Sequence, residues 1–205
     1  MKLVILSDTH GRHESLGTLS GDVLVHCGDA QEGYGCNPHE LEAFDAWLGE
    51  QAFDHVLSIG GNHDFTMEQR VHRGQRPLHH AVVLQDEEVT IDGRRFYGSP
   101  WTPDLEGFAY YQPDDQLRER WAAIPARPDV LITHTPPVGI LDRNRRGRSL
   151  GCPLLAEQLD RIRPRVHVFG HVHASRGICR RGETTYVNAS QLRRDGLFEA
   201  VTLEL

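Results

Sequence analysis

Side chains that can ligate metal ions or transfer protons follow five separate apolar segments of the chain. A single aspartate or histidine after a strand is usually a turn or capping residue. Five such segments in one chain instead predict a shared site with two metal ions. Imidazole and oxygen donors without thiolate suit Mn, Fe, Co, Ni or Zn better than Ca. The residues are Asp8 and His10, Asp29, Asn62 and His63, His134, and His171 and His173.

The third group follows a pair of glycines, Gly60 and Gly61. Two glycines at a strand end allow a sharp turn and a close approach to another group. Asn62 offers an oxygen ligand, whereas His63 can either ligate a metal or shuttle a proton. Taken alone, this stretch is equally well explained as a polar turn, so its interpretation depends on the other four groups.

The elements that must position these residues are short, buried strands. The apolar segments are Lys2–Leu6 and residues 22–27, 56–59, 129–133 and 165–169. Between them lie amphipathic stretches such as residues 38–49, where Leu41, Phe44 and Leu48 recur at helical spacing. Alternating strands and helices predict a layered α/β fold with sheet inside and helices outside. In such folds ligands collect at the carboxyl ends of the strands.

Other stretches depart from this alternation. Short strands at residues 79–84, 88–91 and 94–98, with Asp92-Gly93 as a hairpin turn, and a last strand at 198–203 predict antiparallel additions. Aromatic residues in the loop 99–113 are expected to attach that loop to the body. The arginine-rich loop 142–151 is expected to be mobile and solvated. Without a linker or repeat, residues 1–205 are predicted to form a single domain.

Composition narrows the function. The formal net charge of −7 argues against a general polyanion-binding role and against long nucleic acid as a partner. The apolar run at the start is too short for a signal peptide or a membrane span, so no membrane association is expected. Four scattered cysteines without a CxxC pair predict reduced thiols and a cytoplasmic location.

The order of the polar groups resembles the five sequence blocks of the calcineurin-like metallophosphoesterases. Within that superfamily the chain is most similar to the metallophosphoesterase-domain proteins, which are grouped with the class III cyclic nucleotide phosphodiesterases. The blocks are Asp8-x-His10, Gly28-Asp29, Gly61-Asn62-His63-Asp64, His134 and Gly170-His171-Val172-His173, and the closer likeness lies in residues 97–103, 133–137, 141–142 and 187–190.

This resemblance implies a four-layer αββα sandwich of mixed sheets with the metals at the strand ends. It assigns one metal ion to Asp8, His10, Asp29 and His173, and the other to Asp29, Asn62, His134 and His171, with Asp29 bridging. Mn²⁺ is the expected activating ion. A hydroxide between the two ions is expected to attack the phosphorus.

His63 is then left without a metal and becomes the expected proton donor to the leaving oxygen. Asp64, next to it in sequence, is expected to orient the imidazole and hold it protonated. The other histidines are assigned to surface or core. His13 is kept as a further candidate because it follows the first metal loop.

Several functions remain compatible with these residues. The leading one is hydrolysis of a small phosphodiester such as a cyclic nucleotide. The alternatives on the same centre are phosphomonoester hydrolysis and nuclease activity, the latter with Arg143, Arg145, Arg146 and Arg148 holding the backbone. A further alternative is a non-catalytic, metal-binding regulatory module. Residues 30–33, Ala-Gln-Glu-Gly, lack the Asp-Arg-Gly continuation of Ser/Thr protein phosphatases, so that substrate class is disfavoured. Related proteins are often dimers, which makes a homodimer an expectation of the resemblance.

Overall fold

The computed structural model of the chain describes residues 1–193, 196–197 and 199–205. In this described part, two large sheets and one small ribbon are accompanied by four α-helices. The first sheet contains β1 (Lys2–Leu6), β2 (Ser20–His26), β3 (Ala52–Ser58), β4 (Val82–Val83) and β13 (Val201–Glu204). The second contains β5 (Glu87–Ile91), β6 (Arg94–Ser99), β7 (Val130–Thr133), β8 (Val166–Phe169), β9 (Gly177–Arg181) and β10 (Thr184–Asn188). The ribbon pairs β11 (Leu192–Arg193) with β12 (Gly196–Leu197), and the helices are α1 (Pro38–Gly49), α2 (Phe65–His72), α3 (Asp114–Ala123) and α4 (Pro153–Ile162).

The first sheet has the strand order β13-β1-β2-β3-β4. Strands β1 to β4 run parallel, and β13 closes one edge antiparallel to β1. The predicted last strand at 198–203 is thus found at Val201–Glu204, while Phe198 lies outside the described residues. Because β1, β2 and β3 are parallel neighbours, the residues that follow them meet at one edge of the sheet.

The second sheet has the order β5-β6-β7-β8-β10-β9, with β6, β7, β8 and β10 parallel. Strands β5 and β9 are antiparallel to their neighbours and form the two edges. The predicted hairpin turn between β5 and β6 is confirmed. Asp92 and Gly93 both have positive φ, of 47° and 74°, as a tight two-residue hairpin turn requires.

The two sheets pack face to face between two layers of helices. Alternate residues of a strand point to opposite faces. Leu3 and Ile5 of β1 therefore pack into the core between the sheets with Phe96 and Ile132 of the second sheet. Residues on the outer face of the first sheet, such as Val4, pack on α1 and α2, and those of the second sheet pack on α3 and α4. The predicted αββα sandwich is confirmed.

The loop between β6 and α3 divides into attached and peripheral aromatic residues. Trp101 and Tyr110 are buried, and the Trp101 indole donates a hydrogen bond to the Asp86 carboxylate at 2.8 Å. These two residues attach the loop as predicted. Phe108 is only partly buried and its ring lies near that of His63, with the centroids 5.7 Å apart. This part of the loop therefore reaches the polar edge of the sheets.

The arginine-rich segment before α4, for which a mobile and solvated loop is expected, is a turn held by hydrogen bonds. The Asn144 side-chain oxygen accepts hydrogen bonds from the amides of Arg146 (2.9 Å) and Arg148 (3.0 Å). The buried Asp142 carboxylate accepts hydrogen bonds from the Gly139 amide at 2.9 Å and from the Ser149 hydroxyl. Short polar side chains thus replace the missing backbone partners and fix the turn.

Candidate metal centre

The first sheet delivers three polar loops to one edge. Asp8 and His10 follow β1 and Asp29 follows β2; all three have positive φ angles, of 55°, 43° and 59°. The two loops are joined by hydrogen bonds from the Asp8 amide to the Gly28 carbonyl (2.9 Å) and from the His10 amide to the Asp29 carbonyl (3.1 Å). Left-handed backbone at three residues that are not glycine is unfavourable, and such strain is concentrated at functional sites.

Glycine is required where the loops after β2 and β3 approach the second sheet. A Cβ on Gly61 would lie 2.6 Å from the Asp29 amide nitrogen and 2.7 Å from the His134 ring. A Cβ on Gly28 would lie 2.6 Å from the Gly60 carbonyl oxygen. No side chain fits at these distances, so the close approach predicted for this strand end is confirmed.

The second sheet adds imidazoles from the ends of β7 and β8. His134 follows β7, and His171 and His173 follow β8. The Gly170 amide donates a hydrogen bond to the His134 carbonyl at 3.1 Å, which holds the two ends together. The His171 amide donates to both oxygens of the Asp8 carboxylate at 3.0 Å. Asp8 therefore ties the edge of the first sheet to that of the second.

A first group of candidate ligand atoms contains Asp8, His10 and His173. The Nε2 atoms of the two histidines lie 3.4 Å apart, and His173 Nε2 lies 3.2 Å from Asp8 Oδ1. One ligand atom from each of the three residues lies within 4.8 Å of the others. Two imidazoles and a carboxylate at this spacing match a site for a first-row divalent ion.

A second group contains Asp29, Asn62, His134 and His171. The Asn62 Oδ1 atom lies 3.0 Å from His134 Nε2 and 2.9 Å from His171 Nδ1. Asp29, His134 and His171 also satisfy the 4.8 Å condition with one another. The amide oxygen predicted to be a ligand is therefore in the same cluster as the imidazoles from the other sheet.

Asp29 lies between the two groups. Its Oδ2 atom is 3.3 Å from His134 Nε2 and 3.8 Å from His10 Nε2. Its Oδ1 atom accepts a hydrogen bond from the His63 backbone amide at 2.8 Å. One oxygen is thus held by the backbone while the other faces a ligand atom of each group.

The outer ring nitrogens of two candidate ligands donate to backbone carbonyls. His134 Nδ1 lies 2.8 Å from the Cys27 carbonyl oxygen, and His10 Nδ1 lies 3.2 Å from that of Gln31. A carbonyl oxygen only accepts, so each Nδ1 carries a proton and each Nε2 is the ring nitrogen that faces the cluster. This is the arrangement that orients metal-ligating histidines, and these two residues fit a metal centre on that ground.

The charged side chains of the cluster compensate each other. Burial disfavours an ionised Asp29, but the charge and hydrogen bond of His134 outweigh it and hold the carboxyl pKa well below its usual range. For His134, burial is likewise outweighed by the charge of Asp29, which raises the imidazole pKa to about 9. Asp8 is held ionised in the same way, chiefly against burial by its hydrogen bond to His173, and its pKa is lowered. Buried carboxylates that need a positive partner are suited to bind cations.

His63 lies at the margin of the first group. Its ring is edge-on to that of His10 with the centroids 5.0 Å apart. Its nearest ring nitrogen, with ligand atoms of His10 and Asp29, also satisfies the 4.8 Å condition, so distance alone does not separate it from the candidate ligands. Its Nδ1 atom faces the Gly33 carbonyl at 3.4 Å, and the rings of Tyr34 and Phe108 lie on its other sides.

The prediction that Asp64 orients the His63 ring is wrong. Asp64 is fully buried, and its Oδ2 atom accepts hydrogen bonds at 2.8 Å from the amides of Asp29 and Gly61. Its Oδ1 atom accepts from the Gln31 amide at 3.0 Å. With both oxygens directed at backbone amides, Asp64 holds the loop after β2 in place and reaches no catalytic position itself.

The histidines assigned to surface or core lie there. His13, the one further candidate, packs against Phe44 and Trp47 with ring centroids 5.3 and 5.4 Å away, so it is a core residue. His26 and His167 are also fully buried, and burial lowers the pKa of each to about 3. The exposed ones are His39, His55, His72, His79 and His80.

Sequence reasoning missed the groups that position the candidate ligands. The carbonyls of Cys27, Gln31 and Gly33 orient three imidazoles, yet every residue has a carbonyl, so no sequence signal marks them. The arginines of the turn at residues 142–151 are exposed, as predicted, but sequence reasoning did not place them beside the cluster. Arg145 and Arg146 line a cavity of about 400 Å³ together with His171 and His173.

In the described residues, no helix is both long and apolar enough to cross a membrane.

Comparison with known proteins agrees with this geometry. The family model described as calcineurin-like phosphoesterase matches residues 1–175. Metallophosphoesterase domain-containing protein 1 of Homo sapiens is 38% identical over 215 residues, which cover 92% of this chain and 65% of that protein. The chain thus spans just under two thirds of the length of this relative. A UPF0046 protein of Caenorhabditis elegans is 36% identical over 209 residues, covering 95% of this chain and 71% of that one.

A solved structure shows the same fold. The phosphopantetheinyl hydrolase PptH of Mycobacterium tuberculosis superposes with a TM-score of 0.60 at 17% sequence identity, covering 92% of this chain and 88% of that one. The sequence match extends over most of the chain and includes all the strand ends that carry the polar cluster. On these grounds the chain belongs to the calcineurin-like phosphoesterases.

Proposed function

We propose that the chain hydrolyses small phosphodiesters at a centre of two divalent metal ions. The observation that carries this proposal is the position of Asp29, with one carboxylate oxygen between the two groups of candidate ligand atoms. A carboxylate in that position is what a pair of neighbouring cations needs to share. The first ion would be held by Asp8, His10, Asp29 and His173, and the second by Asp29, Asn62, His134 and His171.

We propose Mn²⁺ as the activating ion in assays, with Fe, Zn, Co or Ni as alternatives. Each site combines two imidazoles with two oxygen donors and no thiolate, which suits these metals. Two such ions, when bound, polarise phosphoryl oxygens and supply a nucleophile from water at neutral pH. Asp29 would link the two sets of ligands, because it belongs to both.

His63 is the proposed general acid. Its Nδ1 proton is directed to the Gly33 carbonyl, which leaves Nε2 for the substrate. The imidazolium then stabilises charge on the phosphoryl group and donates the Nε2 proton to the leaving oxygen. General acid catalysis of this kind contributes about 10²- to 10⁴-fold in rate. Asp64 contributes indirectly, because it fixes the loop whose Asp29 oxygen accepts the His63 amide.

Turnover of bis(p-nitrophenyl) phosphate and p-nitrophenyl phosphate, measured with and without Mn²⁺, tests the proposal. We expect Mn²⁺-dependent hydrolysis with kcat/KM greater for the diester. The His63→Asn variant is expected to lose about 10²-fold or more in kcat while metal analysis still finds two ions per chain. His39→Asn, at an exposed position, is the matched control.

The outcomes separate the alternatives. Greater turnover of the monoester would indicate a phosphomonoesterase, and bound metal without turnover of either substrate would indicate a metal-binding module. Loss of an ion in His63→Asn would make His63 a ligand. The negative net charge supports a small substrate over long nucleic acid. The single domain, the homodimer and the cytoplasmic location stay predictions.

A further inference from the structure

The cavity beside the metal centre has an arginine-rich wall that the proposed hydrolysis does not use. One side of this cavity of about 400 Å³ is formed by Asn144, Arg145 and Arg146 of the turn before α4. The other side includes His171 and His173, which are candidate ligands in the second and the first group respectively. A molecule in this cavity therefore borders both proposed metal positions.

The turn that carries these arginines is hydrogen-bonded to the segment after β8 that contains His171 and His173. The Asn188 side-chain amide donates hydrogen bonds to the carbonyls of Leu141 (3.1 Å) and Val172 (3.0 Å). The Arg143 amide donates to the Ser175 hydroxyl at 2.9 Å, and that hydroxyl donates to the Arg143 carbonyl at 2.7 Å. The arginines are thus carried by a turn fixed next to His171 and His173.

The guanidinium groups of Arg145 and Arg146 are available for a ligand. In the described part of the chain, neither group forms an ion pair or a side-chain hydrogen bond; only the Arg146 backbone amide is engaged, by Asn144. Arg143 instead donates to the Gly147 carbonyl at 2.7 Å. The chain has a net charge of −7, so these two adjacent guanidinium groups form a local region of positive charge beside the cavity. Guanidinium groups bind phosphate and carboxylate in bidentate geometry.

The position of the arginines relative to His63 indicates which part of the substrate they meet. Ring contacts run from His63 to His10 at 5.0 Å and from His10 to His173 at 5.3 Å. His63 lies at one end of this row, next to Tyr34 and Phe108, and the cavity lies beyond the other end. If His63 protonates the leaving oxygen, the cavity receives the part of the substrate that stays on phosphorus.

We propose that Arg145 and Arg146 form a subsite for a second anionic group, so that the preferred substrates are small phosphodiesters whose retained part carries a further phosphate or carboxylate. This inference rests on the proposed function and narrows its substrate class. The non-scissile anion is bound by the two guanidinium groups, while the scissile diester lies at the metal centre.

The test uses two substrates that share one reporter group. The p-nitrophenyl ester of thymidine 5′-phosphate and its 3′-phosphorylated form both release p-nitrophenol, and they differ only by the second phosphate. We expect the 3′-phosphate to lower KM at least about tenfold in the wild-type protein, in line with one strong charge-assisted contact. In the Arg145→Gln/Arg146→Gln variant, the KM values for the two substrates should become equal within about twofold.

A charge-matched control separates local contact from general attraction. Arg163 and Arg165 are exposed and precede β8, at the opposite end of the strand from the metal centre. The Arg163→Gln/Arg165→Gln variant removes the same charge and should keep the tenfold preference. Equal KM values in the wild type, a preference that survives in Arg145→Gln/Arg146→Gln, or an equal loss in the control would each overturn the subsite.

Direct binding keeps the subsite testable if the hydrolysis proposal fails. Calorimetric titration of the Mn²⁺-loaded protein with thymidine 3′,5′-bisphosphate and thymidine 5′-phosphate should show at least a tenfold tighter Kd for the bisphosphate. The difference should vanish in Arg145→Gln/Arg146→Gln. If the protein shows this binding preference but no turnover, the hydrolysis proposal is wrong and the subsite proposal stands. If it shows turnover but no binding preference, the subsite proposal is wrong and the hydrolysis proposal stands.

Discussion

The two sheets contribute different chemistry to the same centre. The first sheet supplies every oxygen ligand and both carboxylates, through Asp8, Asp29 and Asn62. The second sheet supplies imidazoles alone, from the ends of β7 and β8. The negative charge that attracts cations is therefore concentrated on one side, and the other side completes the coordination. Loss of the shared first-sheet carboxylate, Asp29, should affect the whole centre, whereas loss of a second-sheet imidazole should affect one position.

The two sides also differ in how the backbone is held. On the first side a buried carboxylate, that of Asp64, accepts three backbone amides from the loops after β2 and β3. On the second side a neutral amide, that of Asn188, donates to two carbonyls. Burial and the neighbouring Asp29 carboxylate raise the pKa of Asp64 to about 7, so an ionised Asp64 beside Asp29 is electrostatically unfavourable unless a cation compensates it. The first side is therefore the one whose stability is coupled most strongly to metal binding.

The largest expected effect comes from Asp29→Asn, because it removes the charge that both positions share. Metal polarisation contributes several kcal/mol to the transition state, so turnover should fall at least about 10³-fold. Metal analysis should find that both ions are lost or weakly held. His171→Ala, on the second side, should leave one ion in place.

The contrast between these two variants is the decisive measurement. If Asp29→Asn kept one tightly bound ion, or if His171→Ala lost both, the shared position assigned to Asp29 would be wrong. Circular dichroism and thermal unfolding of both variants check that the fold is retained. The comparison needs metal stoichiometry, since a fall in activity alone does not tell one lost ion from two.

An intermediate effect is expected from Asp64→Asn, which tests the anchor on the first side. Replacing one oxygen by an NH₂ group leaves at least one buried backbone amide without an acceptor, which costs about 1–3 kcal/mol of unfolding free energy. Because the loop carrying Asp29 loosens, metal affinity should also fall about 10- to 100-fold. Urea unfolding and metal titration measure the two quantities, and the exposed Asp54→Asn is the matched control. An unchanged metal affinity would show that the loop keeps its geometry without this anchor.

The residues of the centre could be predicted from the sequence because each follows a short apolar strand. Parallel pairing of β1 and β2 brings Asp8 and Asp29 together at one edge of the first sheet, and the packing of the two sheets face to face adds His134. The role of Asp64 could not be predicted in this way. Its neighbour His63 suggested a local contact, whereas its partners include amides at Asp29 and Gln31, more than thirty positions away. When the partners of a side chain are backbone amides, the types of the partner residues form no pattern that the sequence could show.

The arginine-rich turn illustrates the same limit. Its composition, rich in arginine with Asp142, Asn144, Gly147 and Ser149, is also typical of a solvated loop. The structure depends instead on hydrogen bonds from backbone amides to Asn144 and Asp142, and on the contact of Arg143 with Ser175. Asn, Asp, Gly and Ser at such positions signal turn chemistry but not the surface that the turn faces. Arg145 and Arg146 reach the cavity because the turn packs against the segment that follows β8.

The smallest expected effect concerns two imidazoles of the second sheet that are equally buried and differ only in their partners. His134 faces the Asp29 carboxylate, and its pKa is raised to about 9, whereas His167 lies in the interior and burial lowers its pKa to about 3. The Thr133 hydroxyl donates to the Thr135 carbonyl at 2.8 Å, so it must accept from His167 Nε2, 2.9 Å away. His167 Nε2 therefore carries a proton, and with a pKa of about 3 the ring holds no second proton at neutral pH.

A neutral buried histidine makes stability fall as the pH is lowered. Below its unfolded-state pKa of about 6.5, the unfolded chain binds a proton that the folded chain does not. The contribution is fully present above that pH and is lost at a rate approaching about 1.4 kcal/mol per pH unit as the pH falls toward 3.

His167→Gln keeps a donor for Thr133 and removes this titration. The difference in unfolding free energy between wild type and variant, measured in urea at pH 7 and pH 5.5, should shift by about 1 kcal/mol in favour of the variant at the lower pH. Because His26 and the metal ligands titrate equally in both proteins, their contributions cancel in this difference. A difference that does not change with pH would mean that His167 has the same pKa in the folded and the unfolded protein, and that burial without a carboxylate is not what separates it from His134.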